Sequence, residues 1–378
     1  MRTFSGSYYA NLFQVLDCLK LGTRVHRFHY SFYNGPNQYF QFFSNFHRII
    51  PCLANAVSAN VFALVCYLWY TIAVFLFPPR LQDIKASRDK TETLEQYTRR
   101  IWLPDIFLNW YLLPLFSSVA TCSHEDLRNC PAAYIANYRK RTLGAHHCTV
   151  ADMRVLQGCL TQNVNLMLQT EVHSISPDSK KVELQYSQVD EPGQKTEIFD
   201  YVIIATSAKE AGKLFPTISP ITRNLREGRV RVSIVAKRSS ENQPDHPTSE
   251  RLILRTQKDS TLGLVTRSEH RHPSGADVVV SSCLEYEQQH MASNVEHITY
   301  LSRPLPTPKS HELLLSVMGR VSANEYTGWR NGDGGIYLAG GYASASLPLL
   351  EACVRSGLEA AIAIGANLPF DLVRYTPF

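Results

Sequence analysis

The sequence predicts an α/β fold with interleaved domains, and three stretches carry that prediction. Residues 334–365, GGIYLAGGYASASLPLLEACVRSGLEAAIAIG, have the pattern of a short buried strand, an uncharged turn and a long helix with an apolar face. Residues 164–206 change to the pattern of strands and end in the apolar run VIIAT. Residues 49–79 carry no charged side chain and predict a long apolar helix.

Composition limits the class of protein. A chain of 378 residues with 44% hydrophobic residues can build a large core and divide into two domains. The net charge of +5 is spread along the chain without a basic run, which argues against nucleic acid as a partner. Nine cysteines without a C-x-x-C pair, and no N-x-S/T acceptor, favour reduced thiols on the cytosolic side of a membrane. The first twenty residues do not form a signal peptide.

The C-terminal strand, turn and helix organise the chain. Ile336–Ala339 predict the strand, Gly340 suits a positive φ, and Pro348 suits a helix start. Glu351 falls in the first turn, where a carboxylate suits the helix dipole. Backbone N–H groups at such a helix start converge on one point and bind an electron-rich oxygen. The predicted core face of the helix comprises Leu349, Leu350, Cys353, Leu358, Ala361 and Ile362.

The run LAGGYASASLPLLEACVRSGLEAA resembles the C-terminal flavin motif of the FAD-dependent amine oxidase and phytoene desaturase-like superfamily, and most closely a fungal branch of it. The resemblance implies an FAD cofactor contacted by Gly340, Gly341 and the backbone of Leu350 and Glu351. Two positions depart from the motif. Gly341 stands where an acidic residue or serine is frequent, and Ala352 replaces a glycine.

A second segment is similar to the same superfamily. Residues 170–206 follow the pattern T-x-V-x-x-I, a hairpin, and then D-x-V-I-x-A-T. The resemblance implies that the backbone of Val172 hydrogen-bonds the adenine and that Thr206 lies near the phosphates of the cofactor.

The superfamily's N-terminal dinucleotide-binding unit has no counterpart in this sequence. That unit holds the pyrophosphate with a G-x-G-x-x-G turn after a strand, and no such pattern occurs in the 378 residues. We expect either a truncated product or a fold that has lost its main phosphate clamp.

The predicted fold class is therefore an incomplete FAD-binding Rossmann-like domain interleaved with an α+β substrate domain that carries a long apolar helix. Residues 1–150 are predicted to be helical and to face the substrate or a membrane, and 229–329 to form an antiparallel substrate-domain sheet. Residues 151–228 and 330–378 are predicted to belong to the cofactor domain.

Two readings of residues 49–79 stay open. The segment is long enough to cross a bilayer, but Tyr67, Trp69 and Tyr70 fall in its middle, which is not the pattern of a spanning helix. A buried helix or an in-plane insertion is the alternative. Because lysines and arginines are more numerous after the segment, a spanning helix would leave the bulk of the chain in the cytosol. The predicted location is membrane-associated, with a soluble cytoplasmic protein as the alternative.

Further elements are predicted from local patterns. The chain is expected to begin with a helix whose buried face holds Tyr9, Leu12, Phe13, Leu16 and Leu19. Thr149 is the predicted N-cap of a helix over 149–162. Residues 229–237 predict a strand with Arg229, Arg231 and Ser233 on a wet face. Later apolar runs are expected to extend that sheet.

No catalytic residue can be named from the sequence. The superfamily's lysine has no motif here, although Lys237 lies on a predicted strand. The spacings of Cys122, His124, Cys130, His146, His147 and Cys148 match no zinc pattern, so no metal is predicted. The primary hypothesis is an FAD-dependent oxidoreductase acting on an amine or on a lipophilic, lipid-like small molecule. The alternative is a membrane-associated, non-catalytic relic or interaction protein that keeps the fold without flavin.

Overall fold

The computed structural model describes residues 3–25, 28–43, 57–81, 91–144, 147–150, 153–189, 191–235, 250–259, 262–271, 277–282, 295–318 and 328–374. Lys237, His146 and residues 49–56 of the apolar segment therefore lie outside the described residues.

Helices dominate the first half of the chain and strands the second. The helices are α1 (Ala10–Cys18), α2 (Val57–Leu76), α3 (Leu94–Arg100), α4 (Asp105–Phe107), α5 (Leu113–Ala120), α6 (His124–Arg128), α7 (Ala132–Thr142), α8 (Met153–Thr161), α9 (Ala208–Leu214), α10 (Ser219–Thr222), α11 (Pro308–Val317) and α12 (Leu350–Ala363). A π-helical turn, Leu108–Leu112, joins α4 to α5.

The strands are β1 (Thr3–Ser5), β2 (Thr23–Val25), β3 (Phe28–Asn34), β4 (Asn37–Phe43), β5 (His147–Val150), β6 (Thr170–Asp178), β7 (Lys181–Gln188), β8 (Glu191–Phe199), β9 (Val202–Ile204), β10 (Arg226–Val235), β11 (Glu250–Asp259), β12 (Gly263–Arg271), β13 (Asp277–Ser281), β14 (Val295–Leu305) and β15 (Ile336–Leu338). The mixed α/β class predicted from the sequence is confirmed.

A seven-stranded sheet forms the largest layer, in the order β14-β10-β13-β12-β11-β3-β4. Its strands pair antiparallel except for β3 and β11, which run parallel. The later apolar runs do extend the sheet from β10, as predicted. Sequence reasoning missed the β3–β4 hairpin, although Asn34-Gly35 between two aromatic runs is a hairpin signal.

The predicted wet face of β10 is only partly exposed. Of its residues, Arg229 is exposed, whereas Arg231 is 4% and Ser233 3% exposed. On the opposite face Val230 is 1% exposed. The strand lies inside the sheet, bonded to β13 on one side and to β14 on the other. The prediction is therefore right for Arg229 and wrong for Arg231 and Ser233.

The predicted meander is confirmed. β6, β7 and β8 form an antiparallel three-stranded sheet, and β9 leaves it to pair in parallel with β15. The two strands pair from Ile336 with Val202 to Leu338 with Ile204. Their side chains share a core with residues of α9 and α11, including Ala211, Phe215, Leu313 and Val317.

A second core lies among the helices. The capping box at Thr93 and Gln96 begins α3, and Pro114 stands in the first turn of α5. Both elements, with α2 and α7, bury a continuous cluster that includes Tyr70, Tyr97, Leu113 and Ile135. The helices α5 and α6 pack on β11 and β12, so this layer covers the seven-stranded sheet.

The N-terminal helix has the predicted face, with Tyr9, Leu12 and Leu16 buried. It begins later than predicted, because Thr3–Ser5 form β1 and pair with β5. Thr149 is a residue of β5, and α8 begins only at Met153, so the predicted N-cap at Thr149 is wrong. The pairing of β5 with both β1 and β2 holds this residue in an extended conformation.

The helix α2 lies against the helical core. Tyr70, Ala73 and Val74 are fully buried on its inner side. Across the described parts of the chain, no helix combines the length and the apolar character needed to cross a membrane. The predicted membrane-spanning helix is therefore not supported.

The buried face of α12 mixes polar and small residues, which differs from the predicted apolar face. Glu351, Arg355 and Ser356 are each less than 5% exposed, as are Ala352 and Ala360, whereas Ile362 is 37% exposed. Glu351 and Ser356 are held there by hydrogen bonds to α1 and to the turn at Gly340.

Candidate functional site

The carboxyl ends of the parallel strands β9 and β15 meet at one edge. The N–H of Ala339 donates to the carbonyl oxygen of Ile204 over 3.0 Å, so the segments that follow both strands stay together. A Cβ on Gly340 would lie 3.9 Å from the carbonyl oxygen of Thr206. Parallel sheets bind ligands at this edge. The structure thus brings together Thr206 and Gly340, two of the predicted site residues.

Gly340 takes the conformation that the sequence predicts. Its φ of +126° belongs to a region that side-chain-bearing residues rarely occupy. Its N–H donates to the hydroxyl oxygen of Ser356 over 2.9 Å. The turn is therefore fastened to α12. Gly341 has its own constraint, because a Cβ there would lie 3.4 Å from the side chain of Pro348.

The start of α12 holds Leu350 and Glu351. The N-cap, Leu349, makes no side-chain hydrogen bond, so backbone groups dominate this helix end. The Glu351 carboxylate turns instead to α1, where it accepts from the N–H groups of Asn11 and Leu12, each over 3.1 Å. The predicted backbone contacts of Leu350 and Glu351 with a flavin stay a prediction, and the Glu351 side chain has a separate structural task.

Val172 lies apart from this turn. It stands on β6 opposite Tyr186 and packs against the core beneath β9 and β15. Its predicted contact with adenine stays a prediction.

A small cavity of about 20 Å³ lies between the turn that follows Gly340 and the end of β14 at Leu305. Its lining includes Tyr134 of α7, Gly341, Tyr342 and Ser344. The Tyr342 hydroxyl is buried and has no hydrogen-bond partner among the described residues, and burial raises its pKa. A buried polar atom without a partner is unusual in a folded protein and indicates a place for a polar ligand atom or a water.

Sequence reasoning missed a buried pair behind this cavity. The Tyr134 hydroxyl lies 2.8 Å from Nδ1 of His311, whose side chain is 1% exposed. Burial lowers the pKa of His311 to about 4, so the imidazole is neutral at pH 7. Because Tyr134 and His311 are 177 positions apart, no sequence spacing predicts the pair.

A second cavity, of about 130 Å³, is lined by apolar and aromatic side chains. These come from β3, β4, α2 and the segment from α4 to α5, and they are Phe32, Phe40, Phe42, Ala63, Leu64, Tyr67, Phe107, Tyr111, Leu112 and Leu115. Its lining carries no charged side chain, which suits an uncharged or lipophilic group. The sequence analysis placed a portion facing the substrate or a membrane over residues 1–150, and it did not predict the contribution of β3 and β4.

The cysteines and histidines considered for zinc serve other purposes. His124 bonds through Nε2 to the Thr266 hydroxyl over 2.8 Å, and burial lowers its pKa to about 3. Burial raises the pKa of Cys122 and Cys130, so both are thiols. Within the described ranges, no group of three or more candidate ligands converges.

The edge at Thr206 suits the phosphate and sugar part of a dinucleotide, whereas the small cavity does not suit a flavin ring. Thr206 is exposed, so a phosphate or sugar group can approach it at this edge. The cavity beside Gly341 has room for about one water molecule, and a three-ring flavin is far larger. The walls around Tyr342 would have to separate to admit the ring.

The fold is that of amine oxidases. No protein-family model and no curated protein matches the sequence. Among solved structures, cyclohexylamine oxidase from Brevibacterium oxydans IH-35A matches with a TM-score of 0.57 at 13% identity, over 96% of this chain and 86% of the oxidase. A putrescine oxidase mutant from a redesign of cofactor binding also matches, with a TM-score of 0.57 at 11% identity and the same coverage. At these identities the likeness establishes the fold alone.

Proposed function

We propose that this chain is an FAD-dependent oxidoreductase of the amine oxidase type, acting on an amine or another lipophilic small molecule. The observation that carries the proposal is the edge formed by Thr206 and Gly340, where the chain follows the flavin motif on a fold shared with two amine oxidases. FAD supplies two-electron oxidation to such enzymes.

This chain's own residues would bind and orient the substrate. The cavity at Phe40 and Tyr111 would hold an apolar group of the substrate. A substrate amine near the Tyr134–His311 pair would meet a neutral hydrogen-bonding partner rather than a cation. Val172, Gly341, Leu350 and Glu351 are proposed, with Thr206 and Gly340, to line the path of the cofactor.

The proposal is tested by titrating the chain with FAD and following flavin fluorescence quenching. We expect weak, saturable binding that Gly340→Val abolishes, because a β-branched residue resists a φ of +126° and occupies the edge. Ala352→Gly should tighten binding, since Ala352 is buried beside the helix start and glycine is the motif residue there.

The matched control is Gly158→Val on α8, where an added Cβ meets no atom within 4 Å. It should bind FAD as the wild type does. Thermal melts of each variant separate loss of the fold from loss of binding. Equal affinities for the wild type, Ala352→Gly and a folded Gly340→Val would contradict the proposal.

A second function has its own support. The missing G-x-G-x-x-G turn and the cavity of about 20 Å³ favour a non-catalytic protein that keeps the fold without flavin. The same titration separates the two functions, because the non-catalytic protein shows no saturable quenching. The location is proposed to be membrane-associated, with the bulk of the chain cytosolic, against a soluble cytoplasmic form.

A further inference from the structure

The outer side of α2 carries an unbroken apolar stripe. Its members are between 42% and 66% exposed, and they are Val61, Leu64, Val65, Leu68, Ile72, Phe75 and Leu76. Steps of three and four residues place them on one side of the helix over roughly 22 Å. The opposite side, with Tyr70 and Val74, is buried in the core. A stripe of this kind marks an interaction surface.

Aromatic residues border the stripe. The indole N–H of Trp69 donates to the carbonyl oxygen of Ile101 over 2.7 Å, which ties α2 to the loop after α3. The next residue of that loop, Trp102, is 87% exposed and has a φ of +60°. Ile106, four residues on, is 64% exposed. Exposed tryptophan beside aliphatic side chains is typical of surfaces at the boundary between lipid and water.

Basic residues lie along the other border. The last turn of α7 carries Arg139, Lys140 and Arg141. The guanidinium of Arg139 sits 4.4 Å from the ring centre of Tyr67, and the ammonium of Lys140 sits 5.5 Å from that of Phe75. Neither α2 nor α7 contains a carboxylate. Arg139 itself is buried, 7% exposed, and donates to the Thr71 hydroxyl, so the basic groups near the surface are Lys140 and Arg141. An apolar face beside these two residues complements an anionic lipid surface.

The stripe meets the apolar cavity at Leu64. This side chain is 42% exposed and also lines the cavity of about 130 Å³, as do Ala63 and Tyr67 of the same helix. An apolar molecule dissolved in lipid would therefore reach the cavity from the stripe without crossing water.

We propose that α2 lies in the plane of an anionic phospholipid surface, with its stripe among the acyl chains, and that the cavity takes its ligand from the lipid phase. The lipid contact stands independently of flavin. Only the delivery of a substrate rests on the proposed function.

The first test is co-sedimentation of the full chain with vesicles of equal parts phosphatidylcholine and phosphatidylserine. The wild type should bind them more tightly than vesicles of phosphatidylcholine alone. The double variant Leu68→Gln/Ile72→Gln should bind about tenfold or more weakly, because two apolar side chains are lost from the contact. Lys140→Gln should reduce binding roughly fivefold on the anionic vesicles only.

The matched control is Leu168→Gln/Val189→Gln, which removes two apolar side chains that are 78% and 79% exposed elsewhere on the surface. It should bind as the wild type does. A further measurement uses the wild type alone. Brominated phospholipid should quench its tryptophan fluorescence, because Trp69 and Trp102 border the stripe. Absence of vesicle binding and quenching in the wild type would overturn the proposal.

Two other occupants of the stripe give different results. A second copy would appear as a dimer in light scattering that Leu68→Gln/Ile72→Gln dissociates, without vesicle binding. A protein partner would leave the purified chain monomeric and unbound to vesicles. Either result overturns the lipid proposal.

The second test concerns the cavity. Dodecylamine, a lipophilic amine, should bind the vesicle-bound chain in calorimetric titration, and Ala63→Phe should abolish that binding by filling the cavity while vesicle binding persists. Dodecylamine binding that Ala63→Phe leaves unchanged would refute ligand entry at this point. Because neither measurement uses flavin, failure here and failure of FAD binding are separate outcomes.

Discussion

At the scale of single residues, His311 and His124 are buried without charge. His311 is hydrogen-bonded through Nδ1 to the hydroxyl of Tyr134, and His124 is hydrogen-bonded through Nε2 to the hydroxyl of Thr266. Burial, aided at His124 by the nearby Arg128 guanidinium, lowers the pKa of His124 to about 3, and burial lowers that of His311 to about 4. Both residues have an ordinary pKa of 6.5 in the unfolded chain. The folded protein therefore takes up fewer protons than the unfolded chain between pH 6.5 and 4.

This difference predicts a pH dependence of stability. The contribution of neutral His311 is fully present above pH 6.5 and is lost as the pH falls towards 4, because protons then stabilise the unfolded chain. His311→Gln keeps a hydrogen-bonding partner for Tyr134 but cannot titrate. Its free energy of unfolding should fall by about 3 kcal/mol less than that of the wild type over this range.

Urea unfolding at several pH values measures this effect. Tyr134→Phe serves as the control, since it removes the hydroxyl but leaves the histidine buried. Tyr134→Phe should lower the free energy of unfolding at every pH and keep the wild-type dependence of that free energy on pH. Parallel pH profiles for the wild type and His311→Gln would mean that His311 is charged in the folded protein.

At the scale of elements, α1 and α12 are joined through one carboxylate. Glu351 is 1% exposed, and its two oxygens accept from the N–H groups of Asn11 and Leu12. The N-cap residue of α1, Tyr9, makes no side-chain capping bond. The carboxylate of α12 therefore acts as the cap of α1 across 340 positions of sequence.

Removing this carboxylate should loosen both helices. Glu351→Ala leaves buried donors unsatisfied and should lower the free energy of unfolding by about 3 kcal/mol. Glu351→Gln keeps one acceptor oxygen and should cost about 1 kcal/mol. The control Glu312→Ala, at an exposed position of α11, should change stability by less than about 0.5 kcal/mol. If the variants at 351 and 312 melted alike, the contact would carry no stability.

At the scale of the whole molecule, the described residues close two cores, one beside the strands β9 and β15 and one among the helices. Leu338 and Tyr97, one from each core, are both 3% exposed or less. Phosphate affinity in such folds comes largely from the glycine turn and its helix, which the sequence lacks.

We therefore expect the chain, purified without added flavin, to carry far less than one flavin per molecule. Absorbance of the gel-filtered protein in the visible range measures the content. Added FAD should raise the melting temperature only at concentrations well above its dissociation constant, as mass action requires. Flavin retained in a one-to-one ratio after gel filtration would contradict this expectation.

Local pattern alone predicted much of this protein. The strand and turn at Ile336–Gly340 and the meander over 170–199 follow from periodicity and glycine, which act over a few positions. The positive φ of Gly340 follows for the same reason. The predicted cofactor contacts at Val172, Leu350 and Glu351 stay predictions, because they rest on the resemblance.

Only the tertiary structure decided which faces are buried. Arg231 is buried on the face of β10 whose Arg229 is exposed, and Glu351 is buried because it caps a helix from the other end of the chain. The Tyr134–His311 pair and the aromatic cavity likewise join distant segments. The helix α2 carries apolar side chains on its inner and its outer side. Its sequence pattern therefore did not predict which side packs on the core at Tyr97 and which side faces outward. That choice depends on packing between elements, which no local pattern encodes.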